Sequence, residues 1–294
     1  MGVKEGIIVK SIAGFYYVKT CSGVFECKPR GIFRNKKIKP LVGDKVDISA
    51  DEKSKSYVIE DIKERKNELL RPPISNIDQL LIVSSVCDPN PNFLVIDKML
   101  AICHDKNIDP ILVISKIDLK DPSFILDVYK NLDIKIALFS KYERDNIEKI
   151  KGLLKNKITA LTGNTGVGKT TILNLINEDL KLQTGKTSKK LGRGKHTTKH
   201  VELFSLPFGG FVADTPGFSS LEIAKYNLIE RENLKYCFGE FLPFASDCKF
   251  NSCNHLKESD CAVKKALDDG LISKSRYESY VLMQGEFNNK KNTY

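Results

Sequence analysis

Two changes of rhythm along the 294 residues predict a multi-domain chain. An N-terminal all-β barrel comes first, a central α/β domain follows, and a small, mostly α domain that binds metal closes the chain. Five short β-prone runs crowd residues 3–62. Buried strand runs then alternate with helical segments, which is the pattern of a parallel sheet covered on both faces. After about residue 224 that alternation stops, and a knot of cysteine and histidine precedes a helical end. The expected boundaries are 1–66, 67–224 and 225–294.

The β-prone runs are 6–9, 15–18, 24–27, 45–48 and 56–59, separated by Gly, Pro and charged turns. Five strands in so short a stretch suit a barrel of the oligonucleotide-binding (OB) type, with an SH3-like barrel as the rival arrangement. Residues 28–39 would join the third and fourth strands. Residues 64–76, polar and carrying Arg71-Pro72-Pro73, read as a linker. The buried strands of the middle section are 80–83, 111–114, 134–138 and 158–161, with two more near 199–206 and 210–214. Helical segments are expected near 93–107, 122–131, 143–155, 169–178 and 263–287.

The central section carries Gly163-Asn164-Thr165-Gly166-Val167-Gly168-Lys169-Thr170-Thr171, a G-x-x-x-x-G-K-[ST] phosphate loop with a strand before it and a helix after it. Glycines let backbone N–H groups turn inward around a β-phosphate, the lysine spans the β- and γ-phosphates, and the Thr170 hydroxyl joins a Mg²⁺ shell. Ser115-Lys116-Ile117-Asp118 is close to the Asn-Lys-x-Asp element that grips guanine. It ordinarily follows the phosphate loop, and here it precedes it, so the sequence implies a circularly permuted GTP-binding domain. The Asp118 carboxylate can accept from guanine N1–H and the 2-amino group, which adenine lacks. The Lys116 stem would cover the base. Ser115 replaces the usual Asn, which predicts weaker binding with guanine still favoured. Ser140 ends the next strand, at the place of a base-contacting loop.

Asp214-Thr215-Pro216-Gly217 ends an apolar strand and matches the Asp-x-x-Gly element, with the aspartate toward Mg²⁺ and the Gly217 N–H toward the γ-phosphate. Between the two motifs lies the basic stretch Gly192-Arg193-Gly194-Lys195-His196-Thr197-Thr198. Thr198, with Thr197 as the alternative, is the expected switch ligand to Mg²⁺; a plain disordered loop is the other reading. Phe218 stands where many GTPases place a water-orienting glutamine, so slow intrinsic hydrolysis is expected. His196 would either position that water or contact RNA.

Cys248-x4-Cys253-x-His255-x5-Cys261 offers three thiolates and one imidazole, a donor set suited to one structural, tetrahedral Zn²⁺. A disulfide pair and a redox sensor are the alternatives. Cys21, Cys27, Cys87, Cys103 and Cys237 are scattered and read as small buried or half-buried hydrophobes. Net charge is +10 and unevenly spread: residues 28–39 hold six Lys/Arg and no acid, and residues 181–200 hold seven and no acid. Such blocks suit a polyanion, with RNA the expected partner. There is no run of eighteen apolar residues, no apolar signal core at the start and no prenylation cysteine at the end, so a cytoplasmic protein without a membrane span is expected.

The order Ser115 to Asp118, Ser140, Gly163 to Thr170, Thr198, Asp214 to Gly217, set between a barrel and a Cys/His module, resembles the RsgA/YjeQ family of bacterial GTPases that depend on the small ribosomal subunit. The stretch 192–198 is similar to that family's Gly-Arg-Gly-x-His-Thr-Thr switch. The resemblance implies an OB-fold, a permuted GTPase and a zinc domain acting in late maturation of the 30S subunit on 16S rRNA. Hydrolysis of GTP to GDP is then stimulated by the ribosome, and the protein works as a monomer. An RNA-binding assembly factor that uses guanine nucleotide as a clamp is the alternative, and an ATP-using P-loop enzyme is a third.

Overall fold

Alternation of side chains closes the first five strands on themselves. In the computed structural model, which describes residues 2–51, 56–177, 201–215 and 222–290, these strands are β1 (Lys4–Ile12), β2 (Phe15–Thr20), β3 (Gly23–Pro29), β4 (Lys45–Asp51) and β5 (Ser56–Ile62). Inward positions such as Ile8, Val18, Ile48 and Ile59 are fully buried, with the outward positions between them wet. The barrel order is β1-β2-β3-β5-β4, with β4 returning antiparallel to β1 and β3 running parallel to β5. That parallel pair belongs to the OB arrangement rather than to an SH3-like meander. Register shifts at Ile8/Lys10 and Asp47/Ile48 add the local twist that closure needs. The basic stretch between β3 and β4 is more than a loop: it holds a one-turn helix, α1 (Gly31–Asn35), whose Phe33 is buried.

The stretch read as a linker is structured. It forms a hairpin, β6 (Glu68–Leu70) and β7 (Pro73–Ser75). Glu64, Lys66, Glu68 and Arg71 face water, but two of its asparagines are buried and bond to backbone. Asn67 Nδ2 donates to Ile77 O at 2.8 Å, and Asn76 Nδ2 donates to Gly43 O at 3.0 Å. The fully buried Asp44 is saturated by the Leu41 N–H, Arg65 and the Ser75 hydroxyl, at 2.6 to 2.8 Å. A buried carboxylate persists only with such partners.

The remaining elements are β8 (Gln79–Ser85), α2 (Phe93–Asp105), β9 (Asp109–Ser115), α3 (Ser123–Tyr129), β10 (Lys135–Phe139), α4 (Arg144–Leu154), β11 (Ile158–Thr162), α5 (Lys169–Ile176), β12 (Leu203–Ser205) and β13 (Phe211–Asp214). The six strands form one sheet in the order β10-β9-β8-β11-β13-β12. β9/β10 and β11/β13 are parallel, and β12 is an antiparallel edge. β8 and β11 are buried along their whole length, as strands covered on both faces must be.

The C-terminal part holds two short 3-10 turns, Leu234–Cys237 and Gly239–Phe241, then α6 (Leu242–Ala245), α7 (Ala262–Asp268) and α8 (Lys274–Lys290). The single helical run expected over 263–287 is interrupted after Asp268, where Gly270 has φ +74°. From α8, the buried Arg276 donates to Asp97 on α2 (2.8 Å) and in a bidentate manner to Glu240 (2.7 and 3.1 Å). Its guanidinium lies 4.5 Å from the Phe238 ring centre. Of the scattered cysteines, Cys27, Cys103 and Cys237 are buried and Cys87 is half-buried, but Cys21 is exposed because it sits in the β2–β3 turn. No helix among the described residues is long and apolar enough to cross a membrane.

Candidate nucleotide site and metal cluster

The phosphate loop leaves β11 at Thr162 and enters α5 at Lys169. Gly163 has φ +146°, and a Cβ there would lie 2.2 Å from the Val83 carbonyl oxygen, so only glycine lets the loop start. Gly166 and Gly168 also take positive φ, at +89° and +98°. The Lys169 ammonium donates to the Gly163 and Asn164 carbonyls at 2.7 and 2.8 Å, which holds it inside the curl of the loop. Thr165 and Gly166 are exposed, Val167 is buried, and Asn164 is half-buried. Thr170 and Thr171, half-buried, stand in the first turn of α5.

The segment Ser115-Lys116-Ile117-Asp118 is fastened to this loop. The wholly buried Ser115 hydroxyl donates to Val167 O at 2.6 Å and lies 3.2 Å from Ser84 O. A short serine thus spans from the end of β9 to the phosphate loop backbone. Beyond it the chain turns: Lys116 has φ +60°, and the Leu119 N–H bonds back to Lys116 O at 2.9 Å. Asp118 projects from this turn as an exposed carboxylate. Ser140, at the end of β10, is buried, and its hydroxyl accepts from the Tyr142 N–H at 3.3 Å, so it organises its own turn.

On β13, Asp214 pairs in register with Leu161, two residues before Gly163 in the chain. The Thr215 N–H and hydroxyl both donate to Leu161 O, at 3.1 and 2.7 Å. The strand carrying the Asp-x-x-Gly element is therefore locked beside the strand that launches the phosphate loop. His196, Thr197, Thr198, Gly217 and Phe218 lie outside the described residues.

Sequence reasoning missed one segment, the turn after β8. The Ser85 hydroxyl donates to Pro89 O at 2.6 Å, and the Lys116 ammonium donates to Asp88 O. An Asp-Pro pair three residues past the end of a buried strand was the available signal.

In the C-terminal part Cys248, Cys253, His255 and Cys261 converge, with all four ligand atoms within 4.8 Å of one another. Cys248 Sγ is 3.6 Å from His255 Nδ1 and 3.9 Å from Cys261 Sγ, and Cys261 Sγ is 3.5 Å from His255 Nδ1. Bonds of about 2.0–2.3 Å around a tetrahedral ion put such atoms roughly 3.6–3.8 Å apart, so Cys248, His255 and Cys261 already stand near metal-holding spacings, with Cys253 within 4.8 Å of them. All eight cysteines are free thiols. Burial pushes the Cys253 thiol up to about 12 and holds the His255 imidazole below its ordinary value, with Lys235 adding to the latter. The knuckle is braced from α8: Tyr277 OH donates to His255 O and Tyr280 OH to Asn254 O, both at 2.7 Å. Glu258 accepts the Asn254 and Leu256 N–H groups at 2.8 Å each. Burial raises the Glu258 pKa, but the backbone donors outweigh it and leave the group below the usual carboxylate value.

A phosphate loop, a fastened Ser-Lys-x-Asp turn that precedes it in the chain, and an Asp-x-x-Gly motif that follows it in the chain define a circularly permuted P-loop GTPase. The RsgA GTPase family model matches residues 62–224, and the RsgA N-terminal domain model matches residues 5–58. The chain belongs to the RsgA family and is a GTP hydrolase. It is 42% identical over 290 residues to the small ribosomal subunit biogenesis GTPase RsgA of Caldanaerobacter subterraneus subsp. tengcongensis, covering 98% of this chain and 97% of that one. It is 45% identical over 294 residues to the Alkaliphilus metalliredigens protein of the same name, covering 99% of each. Among solved structures, YjeQ from Thermotoga maritima superposes with a TM-score of 0.82 at 36% identity, over 97% of this chain and 99% of that chain. YloQ, described as a circularly permuted GTPase, gives 0.80 at 38%, over 100% and 98%.

Proposed function

We propose that this protein binds the small (30S) ribosomal subunit in the cytoplasm, as a monomer, and assists its late maturation by hydrolysing GTP in a ribosome-stimulated cycle. The observation that carries the nucleotide part is the Ser115–Val167 hydrogen bond, which ties a base-reading turn to a phosphate cradle. The ribosomal part rests on the relatives' names, on the basic stretch around α1 and on the OB barrel, with 16S rRNA as the polyanion. The working division is 1–66, 67–224 and 225–294.

In this reading the loop N–H groups of residues 163–169 and the Lys169 ammonium bind the β- and γ-phosphates and stabilise charge as water attacks the γ-phosphorus in line. Lys169 exchanges its two carbonyl partners for phosphate oxygens. Thr170, Thr198 and Asp214 would hold Mg²⁺, which would supply neutralisation of phosphate charge. Gly217 donates its N–H to the γ-phosphate, and Thr171 lies at the helix start near the α-phosphate. Asp118 reads guanine, Lys116 covers the base, and Ser140 shapes the turn beside it. Phe218 cannot orient water, and His196 takes that role when the ribosome completes the site. Cys248, Cys253, His255 and Cys261 hold one structural Zn²⁺, whose chemistry is to fix the knuckle.

Phosphate release by wild type and Lys169→Ala, with and without 30S subunits, tests the reading. Slow wild-type turnover, at least tenfold stimulation by 30S and loss of both in Lys169→Ala are expected. Turnover that is fast in the free protein and indifferent to 30S refutes it. Phe218 also favours the clamp reading, for which 30S would tighten GTP binding without raising turnover.

A further inference from the structure

We propose that the turn 85–89 after β8 is a positioning element for guanine nucleotide, with Ser85 as the residue that sets it. The idea rests on the reading of Lys116 as the stem that covers the base. A lysine stem has four rotatable bonds, and freezing it when a ligand binds costs affinity. Here the stem is fixed at both ends. Its backbone is held at φ +60°, a conformation non-glycine residues rarely take. Its ammonium is anchored on Asp88 O, whose own φ is +45°. Two such backbones facing each other persist only where the surroundings impose them.

The imposing group is Ser85. Its side chain is fully buried, and it donates to Pro89 O at 2.6 Å across the turn that contains Asp88. Pro89 in turn lies against the phosphate loop: a Cβ on Gly166 would sit 3.5 Å from Pro89 Cδ. The turn therefore touches both parts of the nucleotide site, the base cover through Asp88 and the phosphate loop through Pro89. Ser85 meets no ligand itself. It acts by holding the Asp88 carbonyl where the Lys116 ammonium needs it, so that the stem is already extended when a base arrives.

The test is a cycle of substitutions read by the dissociation rate of a fluorescent (methylanthraniloyl) GDP. Ser85→Ala should speed dissociation about fivefold, the worth of one hydrogen bond. Lys116→Met keeps an apolar stem and removes the ammonium, and it should do the same. In the Lys116→Met background Ser85→Ala should then add nothing, because the anchor it served is gone. Pro89→Gly, at a half-buried turn position, should mimic Ser85→Ala and serves if the buried substitution fails to fold. Unchanged dissociation in Ser85→Ala or Pro89→Gly, or equal effects with and without the ammonium, overturns the proposal. An Asp118→Asn arm separates the two levels. A shift toward xanthine nucleotide together with additive Ser85 effects sinks only the positioning role, whereas no shift sinks the site reading and the proposal with it.

Discussion

The Ser115 hydroxyl reaches the Val167 carbonyl at 2.6 Å, so one buried hydrogen bond joins the Ser-Lys-x-Asp turn to the phosphate loop across 52 residues of chain. The permutation is harmless for this reason. Function needs the two segments adjacent at the strand ends, and chain order is free as long as the contact forms. The substitution of serine for asparagine, which predicted a loss of reach, finds its purpose here: the side chain bonds inward to backbone.

Ser115→Ala removes that donor and leaves the Val167 carbonyl buried without it. The cost of such an orphan is about 1–3 kcal/mol. The expected result is GDP affinity lowered roughly tenfold by isothermal titration, with the far-ultraviolet spectrum unchanged.

Arg276 is the only cation meeting both Asp97 and Glu240 among the described residues, and all three are buried. Arg276→Ala strands two carboxylates, and breaking a buried pair in this way costs about 3–5 kcal/mol. Urea unfolding should show that loss. Arg276→Ala combined with Asp97→Ala and Glu240→Gln should recover part of it, because no uncompensated charge then remains.

Metal binding at the Cys/His knuckle should depend steeply on pH. Burial holds the Cys253 thiol at about 12, so at neutral pH a metal must displace its proton. That proton alone makes apparent Zn²⁺ affinity rise about tenfold per pH unit between pH 7 and 8. A competition titration with a chromophoric chelator checks this, and chelation should lower the melting temperature of the C-terminal part.

Acid should weaken the same region before it weakens the barrel. His255 is held below its ordinary 6.5, so the neutral ring is the folded form. The stability it carries is present above pH 6.5 and is lost as pH falls, since the unfolded chain takes the proton first. Glu258, also lowered, adds stability above its ordinary 4.5 that is lost as pH drops through the folded value. Hydrogen-exchange protection at residues 248–261, taken relative to the slower intrinsic exchange in acid, should therefore fall from pH 7 to 5 ahead of that at β1–β5.

Strands and helices with a strong period were legible in the sequence, because alternation at Tyr16, Val18 and Thr20, or an unbroken apolar run such as 111–114, reports burial directly. The phosphate loop and the Cys/His spacing were legible because their chemistry is local. The β6–β7 hairpin was not, since Asn67 and Asn76 are polar yet face buried backbone, and polarity alone reads as linker. Nor was the Arg276–Asp97 pair, which joins residues 179 positions apart, or the hold of Asp88 on Lys116, which depends on backbone φ.

The central claim is that the Asp118 carboxylate reads the purine edge of a nucleotide cradled by Lys169. Binding of guanine and xanthine nucleotides to Asp118→Asn measures it most directly. The account predicts at least a hundredfold loss for GDP with a matching gain for xanthosine diphosphate. Unaltered guanine preference in that variant would contradict it.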